Sequence, residues 1–578
     1  MLLAYFVDAL FGVLAIILIR NIFAKQNFKL IAPFCISAFA VSALLFFYLT
    51  SAITIANVWL NSHQSTPIFY KISGVWGNHE GSMLLFFTFL SAWATRLRHS
   101  ESIRLASFIL LVLGSYLYFA ANPFAVLAIK MTAGQDLNPA LQNPYLAIHP
   151  PILYAGQTLC FLLWAKACIA PDDPEIPFYT RVCFCLITLG LALGARWAYT
   201  ELGWGGFWFW DPVETVSLFP WLAIAAAVHV YKNNSYLQRL CLLIAFPMVM
   251  LGLTLVRSGV LVSVHSFGFD AFNGIWLGVS ALMVGVISVA SVIASPCNRR
   301  GNLTRRPGEG RGPVLNFRTL TPMKFLSTLA ILCALILIPV FFKICLGKNI
   351  SINEAFFHQY INPFLLAGLL FAGFAPHMKT HFWSFANASF CTILWYFLVQ
   401  PHFHLLAICA ALVCFWLILS TLNHSKYIFT KGFVAAHLGV GLCILGASHA
   451  EIFTTKQEIN INALPLTFAA YPVRYVSHHV VENPQVTKEI FTFSINAKLL
   501  QPEIQHFHIS QVTKHQTAVN RINFDDFHAT VFANNNQWKI ELMHKPLINV
   551  FWLGILMVLL GISVSMRRFL FNAKSSKD

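Results

Sequence analysis

The sequence predicts an all-α polytopic membrane protein of about 15 transmembrane helices carrying one small periplasmic β-rich domain. Three observations lead there. The 578 residues are 57% hydrophobic and only 10% charged, with a mean hydropathy of +0.67, too apolar for a soluble globule of this length. Apolar runs long enough to cross ~30 Å of hydrocarbon at ~1.5 Å per residue recur along most of the chain. Residues 451–545 break that pattern with alternating polar and apolar positions in YPVRYVSHHVV, EIFTFSINAKL, FHATVFA and WKIELMH, pieces separated by Asn, Pro and Asp as in a small antiparallel domain.

The apolar runs begin near residues 2, 29, 81, 103, 149, 178, 213, 237, 273, 321, 362, 382, 403, 431 and 546, and those near 81, 362 and 382 are the shortest. The first has no basic segment before it and no small-residue cleavage signature, so it reads as a retained helix. Basic residues fall in alternate loops: Arg20, Lys25 and Lys29; Arg96, Arg98 and Arg104; Lys166 and Arg181; Lys232 and Arg239; the 297–318 linker; Lys379; Lys426 and Lys431; Arg567 and Arg568. By the positive-inside rule these loops and the 567–578 tail are cytoplasmic and the N-terminus is periplasmic. The net charge of +16 is thus a topology signal, which argues against nucleic-acid binding. The domain reading is a bundle over 1–450, the β-rich domain over 451–545 and a last helix over 546–566. Thirteen cysteines lie mostly in apolar segments, with no Cys-x-x-Cys and none between Glu451 and Lys545, against a thiol redox motif, a zinc site or a disulfide framework.

Residues 197–221, WAYTELGWGGFWFWDPVETVSLFPW, stand out on the outer face. Trp197, Tyr199, Trp204, Phe207, Trp208, Phe209, Trp210 and Trp221 surround Gly205 and Gly206, and Asp211, Pro212 and Glu214 form the start signal of the next helix. Flat rings beside close-packing glycines suit a planar ligand such as a porphyrin. They equally suit an aromatic belt at a membrane surface, and nearby metal ligands decide between the two.

Four histidines lie at two depths. His149, followed by two prolines that fit the first turn of a helix entering from the outside, and His265, in VRSGVLVSVHSFG, flank the aromatic stretch on its own face. Taken singly, solvation explains such residues better than ligation does. His229 ends a span three residues before Lys232, about 4.5 Å along a helix, and His437 lies six residues after Lys431, about 9 Å. Both belong to the cytoplasmic half of the membrane, where an imidazole needs a partner, and two at one depth suit the axial positions of a haem. Arg257 suits a haem propionate, or snorkels to water. Trp76, His79 and Glu80 form a second outer cluster read as structural support.

These segments resemble a known family. VWGNHEGSMLLF, NPYLAIHPPILYAG, WAYTELGWGGFWFWDPVE, LVRSGVLVSVH, HLGVG and HKPLINVFWLG occur in the order found in the CcmF and NrfE type of tryptophan-rich haem-handling proteins, the haem lyases of bacterial System I cytochrome c maturation. The resemblance implies an inner-membrane cytochrome c haem lyase that receives haem from a CcmE-type chaperone. It implies an apocytochrome c partner, presented with CcmH-type proteins, whose Cys-x-x-Cys-His motif gains two thioether bonds. It further implies that His149 and His265 are axial ligands of the transferred haem, with Trp197, Tyr199, Trp204, Gly205, Gly206, Phe207, Trp208, Phe209, Trp210 and Asp211 contacting it. His229 and His437 would hold a permanent haem b in the membrane, with quinol as an electron source. No residue is assigned as a general acid or base. Phe207 stands where tryptophan is usual in the family, Thr215 where asparagine is, and Arg196 where an aromatic residue is common. The alternatives are a membrane haem transporter or exporter, an electron-transfer subunit, and an NrfE-type paralogue dedicated to one multihaem cytochrome.

Overall fold

Long apolar runs give the chain its helices, because a backbone in hydrocarbon must satisfy its own hydrogen bonds. The computed structural model describes residues 1–23, 29–201, 206–230, 235–261, 271–294, 317–346, 381–399, 404–425, 431–534 and 537–575. Its helices are α1 (Leu2–Phe23), α2 (Ile31–Leu49), α3 (Ala56–Asn61), α4 (Ile68–Gly74), α5 (His79–Ala94), α6 (Ser100–Phe119), α7 (Pro144–Ile169) and α8 (Ile176–Glu201). They continue as α9 (Pro212–His229), α10 (Ser235–Arg257), α11 (Ala271–Ala294), α12 (Phe317–Leu346), α13 (His381–Val399), α14 (Leu405–Ser425), α15 (Lys431–Ile452) and α16 (Ile548–Ser575). Twelve of those among the described residues are long and apolar enough to cross a membrane. That is fewer than the fifteen expected. The run near 81 is the 16-residue α5, whose first turn is polar; the run near 382 forms α13, and the run near 362 lies outside the described residues, as does most of the 297–318 linker.

Basic loops that alternate in sequence meet in space. Arg98 pairs with Glu175 at 2.9 Å, and Lys166, almost fully buried, takes both Asp173 at 2.5 Å and Glu175 at 3.0 Å. Arg239 donates to the Ala167 carbonyl at 2.8 Å and to that of Ser291 at 3.0 Å. These groups share one end of the bundle, and the β-rich domain caps the other.

That domain has two antiparallel sheets. The first runs β1 (Thr455–Asn460), β10 (Gln537–Lys545), β9 (Asp525–Asn534), β8 (Ala518–Ile522). The second runs β2 (Leu466–Phe468), β3 (Tyr471–Glu482), β4 (Val486–Ile495), β6 (Glu503–Phe507), β7 (Thr513–Gln516), with β5 (Lys498–Leu500) beside β4. Phe491, Phe493, Ile495, Phe527, Ile540 and Leu542 supply its core, following the alternation read from the sequence.

Buried polar contacts hold the domain on the bundle. The Tyr199 hydroxyl donates to Asp526 at 3.0 Å, and Asn549, in the first turn of α16, donates to the same carboxylate at 2.7 Å. Lys514 of β7 pairs with Glu201 at 2.5 Å, Asn143 donates to Glu201 at 2.8 Å, and Gln485 donates to Asp136 at 2.7 Å. Along α15 and α16, Gly432, Gly439 and Gly446 face Gly561, Gly554 and Phe551 so closely that a Cβ at Gly439 would lie 2.5 Å from the Gly554 carbonyl oxygen. Small residues at such positions let two membrane helices touch backbone to backbone.

Candidate functional site

Helix α9 connects the two halves of the site. Asp211 caps it by accepting the Val213 N–H at 2.8 Å, and Pro212 occupies its first position, as its sequence signal requires. Glu214 reaches past the cap and accepts the Phe209 N–H at 2.8 Å, so it fastens the aromatic loop to the helix it precedes. Trp210 sits at φ 58°, a left-handed conformation that costs a residue with a Cβ about 1–2 kcal/mol and marks the loop as held by its surroundings.

Phe207, Trp208, Trp210 and Trp221 line a cavity of about 750 Å³ whose far wall comes from α15 and α16, including Ser448, Glu451 and Phe551. Its size lies within the range of small-molecule sites. Phe207 packs on Phe551 at 4.3 Å between ring centroids, and Trp208 meets Trp210 edge-on at 6.1 Å. Trp197 and Tyr199 face elsewhere: both are buried, and Tyr199 packs against Trp552 and, edge-on, against His528 of β9. Phe209 enters through its backbone and Asp211 as a cap, whereas Gly206 leads into the loop. Trp204, Gly205 and His265 lie outside the described residues. The α15 and α16 wall was not legible beforehand; its signal was the Phe551–Trp552 pair near the end of the closing motif.

His149 lines a second, smaller cavity of about 200 Å³, together with Trp76, Tyr154, Gln157 and Arg257. Its Nδ1–H donates to the Gly190 carbonyl at 2.7 Å, and its ring lies on Gly194, where a Cβ would come within 2.8 Å of the imidazole. The Trp-lined cavity uses Leu191, Ala192 and Ala195 of the same helix. The structure therefore sets His149 and the tryptophans on different faces of α8. Arg257 shares the His149 cavity and donates to Ser82 at 2.8 Å and toward Tyr154 at 3.5 Å. The helix around His149 differs from expectation. It begins at Pro144, capped by Asn143, so Pro150 and Pro151 lie inside it. Pro151 offers no N–H to the Ala147 carbonyl, and the Trp76 indole N–H takes that place at 3.0 Å. The supporting cluster is completed by Glu80, which accepts from Asn57 at 2.9 Å, and His79, hydrogen-bonded to Tyr116 at 2.9 Å.

His229 and His437 come together at the other end of α9, their ring centroids 6.2 Å apart and their planes at 74°. Each ring is oriented by its own helix: Nδ1 of His229 bonds the Ala225 carbonyl at 2.7 Å and Nδ1 of His437 that of Phe433 at 3.0 Å. A carbonyl only accepts, so Nδ1 carries the proton in both rings and Nε2 keeps its lone pair, the tautomer of a metal-binding imidazole. Among the described residues no cluster of three or more His, Cys, Asp or Glu has metal-holding geometry. Two histidines alone fit an iron whose other four positions come from a macrocycle, where a bare ion would need three or four protein ligands. The donor set therefore fits a haem.

Residues 178–262, which carry the aromatic loop and α9, match the family model described as cytochrome C assembly protein. The chain is 28% identical over 611 residues to the cytochrome c-type biogenesis protein ccl1 of Rhodobacter capsulatus, covering 93% of this chain and 91% of that one. It is 27% identical to CcmF of Haemophilus influenzae, over 93% and 92% of the two chains. To CycK of Rhizobium meliloti it is 35% identical over 59% of this chain and 54% of the relative. Its fold matches a solved cytochrome c heme lyase CcmF with a TM-score of 0.74 at 15% identity, over 97% and 96% of the chains. Over about nine-tenths of its length the chain is thus similar to cytochrome c-type biogenesis proteins of the CcmF and NrfE type.

Proposed function

We propose that the chain is the haem lyase subunit of bacterial cytochrome c maturation, set in the inner membrane with its β-rich domain and aromatic loop in the periplasm. One observation carries the reading: a single helix, α9, has the wall of a haem-sized aromatic cavity at Trp221 and one of two paired imidazoles at His229, eight residues or about 12 Å away. The substrate haem, delivered by a CcmE-type chaperone, is taken up on this outer face, where His149 and His265 are its proposed axial ligands and Phe207, Trp208 and Trp210 line the neighbouring cavity. The apocytochrome, presented with CcmH-type proteins, brings the nucleophiles: each thiol of its Cys-x-x-Cys-His motif adds across a vinyl C=C, sulfur to one carbon and hydrogen to the other.

The protein's contribution is positioning, which turns a rare encounter into an intramolecular one. Glu214 and the Asp211 cap hold the loop in register with α9, the Tyr199–Asp526 contact fixes the β-rich domain beside it, and Arg257 is placed to meet a carboxylate. His229 and His437 are the residues that hold a permanent haem b. Bound there, that group supplies one-electron chemistry that keeps the substrate haem ferrous, with quinol as the electron source.

The test is the reduced-minus-oxidised visible spectrum and pyridine haemochrome of detergent-purified protein. The wild type shows a b-type signal that His229→Ala and His437→Ala each abolish and His149→Ala retains. Well-folded wild-type protein without haem, or a signal indifferent to both inner substitutions, removes the redox part of the reading.

A further inference from the structure

The two paired imidazoles are not restrained alike. His437 stacks on Phe433 of its own helix, with ring centroids 3.8 Å apart and planes at 26°, and bonds the carbonyl of that same residue. Both its tilt and its rotation about the Cβ–Cγ bond are therefore set within α15. His229 has only the carbonyl of Ala225 in its own helix, and alanine offers no ring to lie on. A hydrogen bond at one nitrogen leaves an imidazole free to rock about that bond. The second restraint comes from α12, where Phe325 lies against His229 at 5.1 Å and 35°.

Phe325 is held in turn. Its ring meets Trp221 edge-on at 6.3 Å, and Trp221 is fixed by its indole N–H bond to Thr188 at 2.9 Å and by Phe184 at 5.4 Å. Beyond Phe325, α12 contacts the bundle through a narrow stripe that includes Leu329, Leu332 and Ile336, and much of its remaining surface is exposed along a helix apolar enough to face lipid. The ring therefore sits between the Trp-lined cavity and the histidine pair, touching the wall of one and a member of the other.

We propose that Phe325 is a positioning residue: it sets the plane of the His229 imidazole, and with it the angle between the two axial ligands, and it keeps water from that side of the pair. The proposal rests on His229 and His437 holding a haem. A phenyl ring is suited to both tasks, because it is rigid, apolar and stacks without competing for Nε2. A ring packed against a ligating imidazole tunes a bound metal through ligand orientation and local polarity.

The experiment compares wild type, Phe325→Leu, Phe325→Met and Phe325→Tyr, purified in detergent with their haem. The angle between axial imidazole planes is read from the g-anisotropy of the ferric low-spin resonance, which is largest for perpendicular planes, and access of water from the midpoint potential. Phe325→Leu and Phe325→Met are expected to retain haem with a less anisotropic, broader resonance and a lower potential, and Phe325→Tyr, which keeps the ring, to return both toward wild type. Wild-type resonance and potential in the Leu and Met variants would reduce Phe325 to ordinary packing. Wild-type protein without a b-type haem would overturn this proposal together with the reading it rests on, so the two failures are told apart by the wild-type spectrum.

Discussion

The Tyr199 hydroxyl and the Asp526 carboxylate meet at 3.0 Å, joining the last turn of α8 to the start of β9 with both side chains buried. Tyr199 lies just ahead of the aromatic loop in the chain, so this bond sets where the domain stands relative to that loop. Tyr199→Phe removes one donor to a charged acceptor that Asn549 still serves, which costs about 1–3 kcal/mol. Amide hydrogen exchange on the full-length protein should show β9 and the first turn of α16 losing protection while the membrane helices keep theirs. Unchanged protection in β9 would mean that apolar packing alone seats the domain.

A harsher loss is expected at Glu201. Its side chain is 3% exposed and that of Lys514 12%, and the two pair at 2.5 Å. Glu201→Gln leaves a buried ammonium without its counter-charge, and breaking such a pair costs about 3–5 kcal/mol. Replacing both, Glu201→Gln with Lys514→Met, should be milder than Glu201→Gln alone, because no unpaired charge remains. Thermal denaturation of the three proteins in one detergent provides the comparison; a double variant no better than the single one would contradict the assignment.

His528 predicts how the domain responds to acid. It is 2% exposed, and neither ring nitrogen has a hydrogen-bond partner among the described residues. Burial, then the positive charges of Lys545 and Arg196, hold it neutral and push its pKa down to about 3. The unfolded chain takes up this proton near pH 6.5, so the unfolded state binds more protons across that window. Stability is full above about pH 6.5 and falls by about 1.4 kcal/mol per unit as the pH drops toward 3. Asp525 adds to the loss at the acid end: burial raises its pKa, but the His544 and Leu547 hydrogen bonds outweigh that and leave it depressed. His528→Phe should flatten the slope between pH 6.5 and 4.5, measured by denaturant midpoints; a parallel slope in both proteins would rule His528 out as its source.

Much of this was legible in advance, for reasons that differ by residue. The depth of His229 and His437 followed from helical rise counted from Lys232 and Lys431, and a common depth is what lets two helices oppose their rings. The start of α9 was set by Asp211 and Pro212, a local signal that local chemistry enforces. The start of α7 was not. Pro150 and Pro151 read as a first turn, and only an indole from Trp76, more than seventy residues earlier, makes them tolerable inside a helix. Nor did sequence spacing tell that His149 and the tryptophans occupy different faces of α8, because loops on one side of a membrane share a surface without sharing a cavity. Phe325 was invisible for the same reason: a phenylalanine in an apolar helix announces nothing until its neighbour is an imidazole.

The close seam between α15 and α16 gives the last prediction. Gly439 follows His437 by two residues, and a Cβ there would stand 2.5 Å from the Gly554 carbonyl oxygen and 2.7 Å from the Val558 nitrogen, both backbone atoms that cannot swing aside. Gly439→Leu must force the helices apart and turn α15, carrying His437 away from His229 although both imidazoles remain in the chain. We expect the b-type absorbance to fall as in the ligand variants. Gly285→Leu is the control, because a Cβ at that position meets nothing within 4 Å, and it should retain the signal. Cysteine cross-linking between Gly446 and Phe551 positions, the far end of the same seam, then separates a local twist from general misfolding: cross-links that persist in Gly439→Leu while absorbance is lost place the damage at His437. Full absorbance in Gly439→Leu would show that the histidine pair does not depend on the α15–α16 contact.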